Sequence, residues 1–377
     1  MKILHLIVDL EIGGAELMLK RLLEAQKKKG DFHNIVVSLT SIGSIGRELQ
    51  LNGIEVHAME MKSNFMFPLI IWRLARLIKD SSVDLVQTWM YHADLIGGLA
   101  ARISGSCPVI WGVRSTKIPQ GVFSTTYWLV RVCAIFSYWL PSKIVCCAES
   151  AKEEHQSLGY NKKKLITIPN GYNFSVFENQ INSRMKARSS IGYSDRDIVI
   201  GIIGRFDPLK DFNNFICAAS KLSLLFLNAK FLMVGRSLDW SNSLLADWIK
   251  SKGLEDKFTL VGEKSDIPYY LSAMDIFCMS SVSEGFPNVV VEAMAMGLPC
   301  VVTKAGDADK IVHDKSYVVP VNDSSALSEA LSRMCYLNPK DRQLIGELGS
   351  KKVRLEYDIN NISIQYENLY KDTIANE

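Results

Sequence analysis

Glu284 and Glu292 stand eight residues apart in Ser283-Glu284-Gly285-Phe286-Pro287-Asn288-Val289-Val290-Val291-Glu292-Ala293-Met294. A Gly-aromatic-Pro turn follows the first carboxylate, and the second lies a turn or so inside an apolar helix. At a helix start, the unpaired backbone N–H groups and the helix dipole attract anions. The spacing therefore suits a grip on a nucleotide sugar. Glu284 faces a sugar at the turn, the backbone of Gly285, Phe286, Pro287, Asn288 and Val289 runs beside phosphate, and Glu292 accepts hydrogen bonds from ribose hydroxyls. Upstream, Gly204-Arg205-Phe206-Asp207-Pro208-Leu209-Lys210-Asp211 puts two cations on one loop. Arg offers phosphate a planar fork and Lys a compact point charge. With the N–H groups near Gly285–Val289, Arg205 and Lys210 would stabilise a departing nucleoside diphosphate without a metal.

Other positions add to this set. Gly13 and Gly14 follow the first strand and precede a helix over Ala15–Lys29. Glycines there let backbone approach a ligand, closing over a donor diphosphate or admitting an acceptor. No full GxGxxG occurs, which counts against a dinucleotide oxidoreductase. His92 lies in Trp89-Met90-Tyr91-His92-Ala93-Asp94, just past a strand ending at Thr88. Trp89 and Tyr91 either stack on sugar or pack. Arg114, after Ile110-Trp111-Gly112-Val113, is a candidate acceptor contact. Asp307-Ala308-Asp309 and Asp195-Arg196-Asp197 match a metal-holding Asp-x-Asp in form only. They read as surface or capping residues, and no metal or other cofactor is expected.

These residues need elements that bring them together. Short β-branched runs alternate with helical patterns along the chain. The first half shows strands over Ile3–Val8, Asn34–Leu39, Glu55–Ala58, Leu85–Thr88, Val109–Gly112, Ile144–Cys147 and Leu165–Ile168. The second shows Ile198–Ile203, Lys230–Val234, Phe258–Val261, Ile276–Met279, Cys300–Val302 and Val318–Val319. Nearly continuous apolar strands with helices between them indicate α/β folding, with parallel sheets covered on both faces. A chain of 377 residues suits two domains. The pattern restarts near Ile198, after the polar stretch Asn179–Asp197, which reads as a linker or domain edge. The expected division is 1–178, 179–355 and a C-terminal helix over 356–377. In doubly wound sheets, ligands bind beyond the carboxyl ends of the strands. Each motif above falls on such a loop.

Taken together, the motifs resemble those of retaining glycosyltransferases of family 4, which have the GT-B fold. Glu284 to Glu292 looks like the family's Glu-x7-Glu signature, and Arg205 to Lys210 like its diphosphate-binding loop. Ile168-Pro169-Asn170-Gly171-Tyr172-Asn173 looks like its interdomain Pro-Asn-Gly segment, although an acidic residue often stands where Asn173 does. Gly13-Gly14-Ala15-Glu16 looks like its first glycine loop. The resemblance implies two facing doubly wound Rossmann-like domains with a donor/acceptor cleft between them. The C-terminal helix would cross back onto the N-terminal domain over Tyr357–Ala375. Glu284, His92, Arg205 and Lys210 would be catalytic, His92 touching the transferred sugar. Asn170 and Val261 join Gly13, Gly14, Arg114, Gly285–Val289 and Glu292 as substrate-binding residues. The implied reaction moves a hexosyl or N-acetylhexosaminyl group from a nucleotide-diphosphate sugar, a UDP-sugar first of all, to a glycan or lipid-linked acceptor in surface polysaccharide synthesis. No covalent nucleophile is evident, so the leaving phosphate would help take the acceptor proton on the same face. A sugar-nucleotide epimerase and a non-catalytic nucleotide-sugar-binding protein are the alternatives.

Bulk properties set the surroundings. A net charge of +3 is too small to make nucleic acid the main partner. Eight cysteines without a CxxC pair read as buried free thiols in a reducing compartment. The N-terminus enters a strand at once, without the features of a signal peptide. No apolar run reaches the roughly 18 residues of a spanning helix. The expected location is the cytoplasm. In Phe65–Lys79, Ile70, Ile71, Leu74, Leu77 and Ile78 share one helical face, with Arg73, Arg76 and Lys79 off it. That face, or the apolar aromatic run Tyr127–Leu140, either packs on the sheet or rests on the inner leaflet of an anionic membrane.

Overall fold

The computed structural model describes residues 1–105, 107–115, 125–180 and 183–376, the Asn64 side chain excepted. All the strands read from the sequence are present, each end within one residue of expectation. They are β1 Lys2–Ile7, β2 His33–Ser38, β3 Glu55–Ala58, β4 Leu85–Trp89, β5 Val109–Val113, β6 Lys143–Cys146, β7 Leu165–Thr167, β8 Ile198–Ile203, β9 Ala229–Val234, β10 Phe258–Leu260, β11 Ile276–Met279, β12 Cys300–Thr303 and β13 Val318–Val319. They form two sheets, ordered β3-β2-β1-β4-β5-β6-β7 and β10-β9-β8-β11-β12-β13. Every pairing within them is parallel, as the apolar strands with helical crossovers require.

The chain divides into two compact units. One holds Met1–Tyr172 and the chain from Tyr357 onward; the other is Asn173–Glu356. In the first unit, the C-terminal helix Ile359–Ala375 lies against the helix Gly14–Lys29, with Ile359, Ile362, Tyr366 and Tyr370 in the same core as Leu19 and Leu23. The returning chain is stitched in at Tyr172, whose N–H donates to the Tyr357 carbonyl at 2.8 Å and whose carbonyl accepts from Ile359 N–H at 3.0 Å.

The boundary between the units precedes residue 178 because Asn173–Glu178 is tied to the second unit. The Arg354 guanidinium sits 5.3 Å over the Phe174 ring and pairs with Glu178 at 3.2 Å. Of the two readings of Asn179–Asp197, the domain edge holds. Leaving aside Ile181 and Asn182, which lie outside the described residues, it contributes the helix Arg184–Ser190 to the second unit. Arg188 is buried there and meets Asp275 at 2.6 Å, while Arg184 meets the other Asp275 oxygen at 2.6 Å. These charges anchor the helix at Asp275, the residue before β11.

For Phe65–Lys79 the packing alternative holds. Ile70, Leu74 and Ile78 of the helix Phe67–Asp80 are buried inside the first unit, where this helix packs on the helix Tyr91–Ser104. The apolar face offered as a membrane contact is therefore core. Among the cysteines, Cys107 and Cys217 are half-buried and the other six are buried, all as free thiols.

Candidate functional site

In the second unit, β8 and β11 are neighbours, and the crossovers from this pair lead to opposite sides of the sheet order. Such a switch point opens a crevice beyond the strand ends. The loop after β8 carries Arg205 and Lys210, and the loop after β11 carries Glu284. The Lys210 ammonium lies 2.6 Å from Glu284 Oε1, which also accepts from the Ser281 hydroxyl at 2.5 Å. Two further bonds fix the loops together: Val282 N–H donates to the Leu209 carbonyl at 2.8 Å, and Ser280 Oγ to the Lys210 carbonyl at 2.8 Å. Strand order thus joins residues 74 positions apart.

Around that pair the loops are shaped by local capping. Asp207 accepts from Leu209 N–H at 2.9 Å and pairs with Arg205 at 3.2 Å. The Arg205 side chain is otherwise open, 70% exposed. Asp211, at φ +46, accepts from Asn214 N–H at 3.3 Å and starts the helix Phe212–Ser223. The loop after β9 supports the loop from beneath at Gly235. Its φ is +147, and a Cβ there would stand 1.9 Å from the Gly204 carbonyl oxygen. Only glycine admits that approach.

In the Glu-x7-Glu segment, Phe286 and Pro287 are buried. The Asn288 N–H donates to the Phe286 carbonyl at 2.9 Å and is spent within the turn. Gly285 and Val289 are half-buried at either end of it. Glu292 is half-buried on the second turn of the helix Asn288–Ala295. Val261 follows β10, its N–H bound to the Met233 carbonyl at 3.0 Å, on the sheet edge two strands from β8. Of the Asp-x-Asp pairs, Asp307 is buried rather than on the surface and pairs with Lys310 at 3.2 Å. Asp197 closes a turn by accepting from Ser194 N–H at 2.6 Å.

In the first unit the switch point lies between β1 and β4. Gly13 is extended (φ −155) and needs no special backbone freedom. Its open side is filled by Glu16, whose Oε2 lies 2.3 Å from where a Cβ of residue 13 would stand. Gly14 opens the helix and is exposed. Burial pushes the Glu16 carboxyl up, Asp9 adds to the shift, and Arg114 opposes it. Sequence reasoning passed over Glu16 because its burial follows from the fold.

Beyond β4, Met90 holds φ +75, an uncommon conformation for a residue with a side chain, and its N–H donates to the Gly112 carbonyl at 2.9 Å. This sharp entry puts His92 on the first turn of Tyr91–Ser104. His92 is half-buried, its ring edge-on to Phe67 at 6.4 Å, and burial lowers its pKa. Trp89 and Tyr91 pack rather than face outward. The Tyr91 hydroxyl meets His155 Nε2 at 2.9 Å, while His155 Nδ1 donates to the Ala151 carbonyl at 2.7 Å. Burial holds His155 near 4, so it is neutral and its Nε2 accepts from the tyrosine. Asp94 beneath them is fully buried and pushed up to about 8 by burial, while bonds from Thr88 Oγ1 at 2.5 Å and Gly112 N–H oppose the shift.

Arg114 and Asn170 do not stand open as substrate contacts. Arg114 donates to Asn170 Oδ1 at 3.0 Å and to the Tyr366 hydroxyl at 2.5 Å, with its guanidinium 4.4 Å over the Trp89 ring. It locks the Pro-Asn-Gly segment and the C-terminal helix to the strand end that leads to His92.

Comparison with known proteins fits this geometry. Residues 12–176 match the family model Glycosyltransferase Family 4, and residues 183–351 match Glycosyl transferases group 1. The chain is similar to UDP-Gal:alpha-D-GlcNAc-diphosphoundecaprenol alpha-1,3-galactosyltransferase of Escherichia coli, 25% identical over 309 residues, 81% of this chain and 79% of that protein. It is similar also to the capsular polysaccharide biosynthesis glycosyltransferase CapM of Staphylococcus aureus, 24% identical over 357 residues, 92% and 90% of the two chains. Anabaena Alr3699/HepE in complex with UDP shares the fold, with a TM-score of 0.85, 21% identity, and 99% and 100% of the two chains covered.

Proposed function

We propose that this chain, which belongs to the family 4/group 1 glycosyltransferases, moves a hexosyl or N-acetylhexosaminyl group from a UDP-sugar to a glycan or lipid-linked acceptor in surface polysaccharide synthesis. The observation that carries the reading is the Lys210–Glu284 pair at the β8/β11 switch point, with Arg205 open beside it. Lys210 and Arg205 receive the diphosphate, Glu284 orients the transferred sugar, and Glu292 receives the ribose. His92, neutral near pH 7, serves as a hydrogen-bonding partner for sugar hydroxyls and not as a cation. The E. coli relative is named for a UDP-sugar donor and a diphosphoundecaprenol acceptor, and HepE holds UDP, which supports the donor and acceptor classes.

The reaction retains the anomeric configuration. The bond from the sugar's C1 to the phosphate oxygen breaks, and the acceptor oxygen bonds to C1 on the same face. The acceptor proton passes to the departing phosphate, whose charge Arg205 and Lys210 balance without a metal. The enzyme works in the cytoplasm on acceptors at the membrane's inner leaflet. No helix among the described residues is long and apolar enough to cross that membrane. Incubation of common UDP-sugars with a diphosphoprenyl-linked sugar, in chelator, tests this. Acceptor-dependent UDP release and an axial anomeric signal in the product are expected. No release from any donor, or release that requires Mn²⁺ or Mg²⁺, contradicts the reading.

A further inference from the structure

The first unit carries charge and aromatic surface that its core does not use. No acid occurs between Asp94 and Glu149. Within this stretch, the helix Thr125–Phe136 buries Val130, Cys133 and Ala134 and turns Trp128 and Ile135 outward. Tyr138 and Trp139 follow, and all four outward side chains are more than half exposed.

Cations hold this aromatic turn by its backbone. Arg102 donates to the Trp139 carbonyl at 2.6 Å, and Lys164 to the carbonyls of Tyr138 at 2.9 Å and Pro141 at 2.6 Å. The carbonyls are thereby turned in and the rings out. Burial lowers the Lys164 pKa, and Arg102 and Lys143 lower it further, as expected where like charges crowd. Lys162 and Lys163 extend the cluster and are exposed. Exposed Trp and Tyr beside uncompensated cations suit a bilayer interface: the rings sit at headgroup depth and the cations meet anionic lipid.

We propose that Trp128, Ile135, Tyr138 and Trp139, flanked by Arg102 and Lys162–Lys164, form the surface by which this protein docks on an anionic lipid bilayer. This extends the proposed function by naming the surface on which a lipid-linked acceptor is met. It replaces the helical face of Phe67–Asp80, whose apolar side is core. The aromatic turn inserts while the lysines set the preference for negative lipid.

Flotation of the full chain with phosphatidylcholine vesicles, with and without phosphatidylglycerol, tests the surface without any donor or acceptor. Binding to the anionic vesicles that weakens with salt is expected. Lys162→Ala with Lys163→Ala should weaken it about 30-fold, at about 1 kcal/mol per cation near the surface. Tyr138→Ser with Trp139→Ser should abolish insertion while UDP binding in the second unit stays unchanged. Three results would overturn the proposal: no flotation with either vesicle, loss of flotation only in Leu69→Ser with Trp72→Ser, or a dimer that the Trp139 variant splits. Intact UDP binding beside any of these would leave the donor-site reading standing.

Discussion

The Lys210 ammonium lies 2.6 Å from the Glu284 carboxylate, at the one place in its sheet where adjacent strands send their crossovers opposite ways. Both side chains are mostly buried, the Glu284 side chain 12% exposed. Under the proposed function, a donor diphosphate arriving at this loop would compete with Glu284 for the same ammonium, exchanging a carboxylate partner for a phosphate one.

Lys210→Ala and Glu284→Gln should each lower kcat/KM on the order of 100-fold or more, the range for removing a preorganised charge. Because the groups act as a unit, the double variant should lose little more than either single one. A double-variant cycle in which the losses multiply would show them acting separately.

Gly235→Ala should destabilise the second unit by about 2 kcal/mol or more, since both its positive φ and the Gly204 carbonyl oppose a Cβ. Gly253→Ala, also at positive φ but with nothing within 4 Å, is the control and should cost about 1 kcal/mol. Urea midpoints compare the two. UDP affinity should fall only in the Gly235 variant, whose strain reaches Arg205.

Arg114→Met should cost about 3 kcal/mol, from two charge-assisted hydrogen bonds and a cation–π contact. Its signature is local: faster amide exchange over Ile359–Ala375 than over Phe212–Ser223. Equal protection in both helices would show that the C-terminal helix does not depend on this arginine.

Asp94 gives the first unit a pH dependence. An unfolded aspartate titrates near about 3.9, and burial pushes Asp94 up to about 8. Below the lower value both states hold the proton. Between the two, the unfolded chain releases it and the folded chain keeps it, so stability falls as pH rises from about 4 to 8. Urea unfolding across that window should show the decline in the wild type and a flatter profile in Asp94→Asn. An unchanged slope would exclude this carboxyl as its source.

The strands were legible because a sheet covered on both faces writes itself as continuous β-branched runs such as Ile198–Ile203. The loop motifs were legible because their residue types are chemically specific. What escaped was partnership across the chain. The partner of Arg188 did not show because Asp275 lies 87 residues away, and Arg114 read as an acceptor contact because Tyr366 lies 252 away. Periodicity correctly grouped Ile70, Leu74 and Ile78 on one face, but it carries no sign that says whether that face meets core or lipid. The run Tyr127–Leu140 was open to the same two readings, and the fold splits it into buried and exposed sides.

The central claim is that the β8/β11 switch point binds the donor's diphosphate through side chains. Calorimetric titration of UDP into the full chain in the presence of chelator tests it most directly, with Arg205→Ala alongside. The account predicts binding by the wild type and affinity at least about tenfold weaker in Arg205→Ala at unchanged thermal stability, as for loss of one charge-assisted contact. No binding by well-folded wild type, equal affinity in the variant, or binding that appears only with a divalent cation would contradict it.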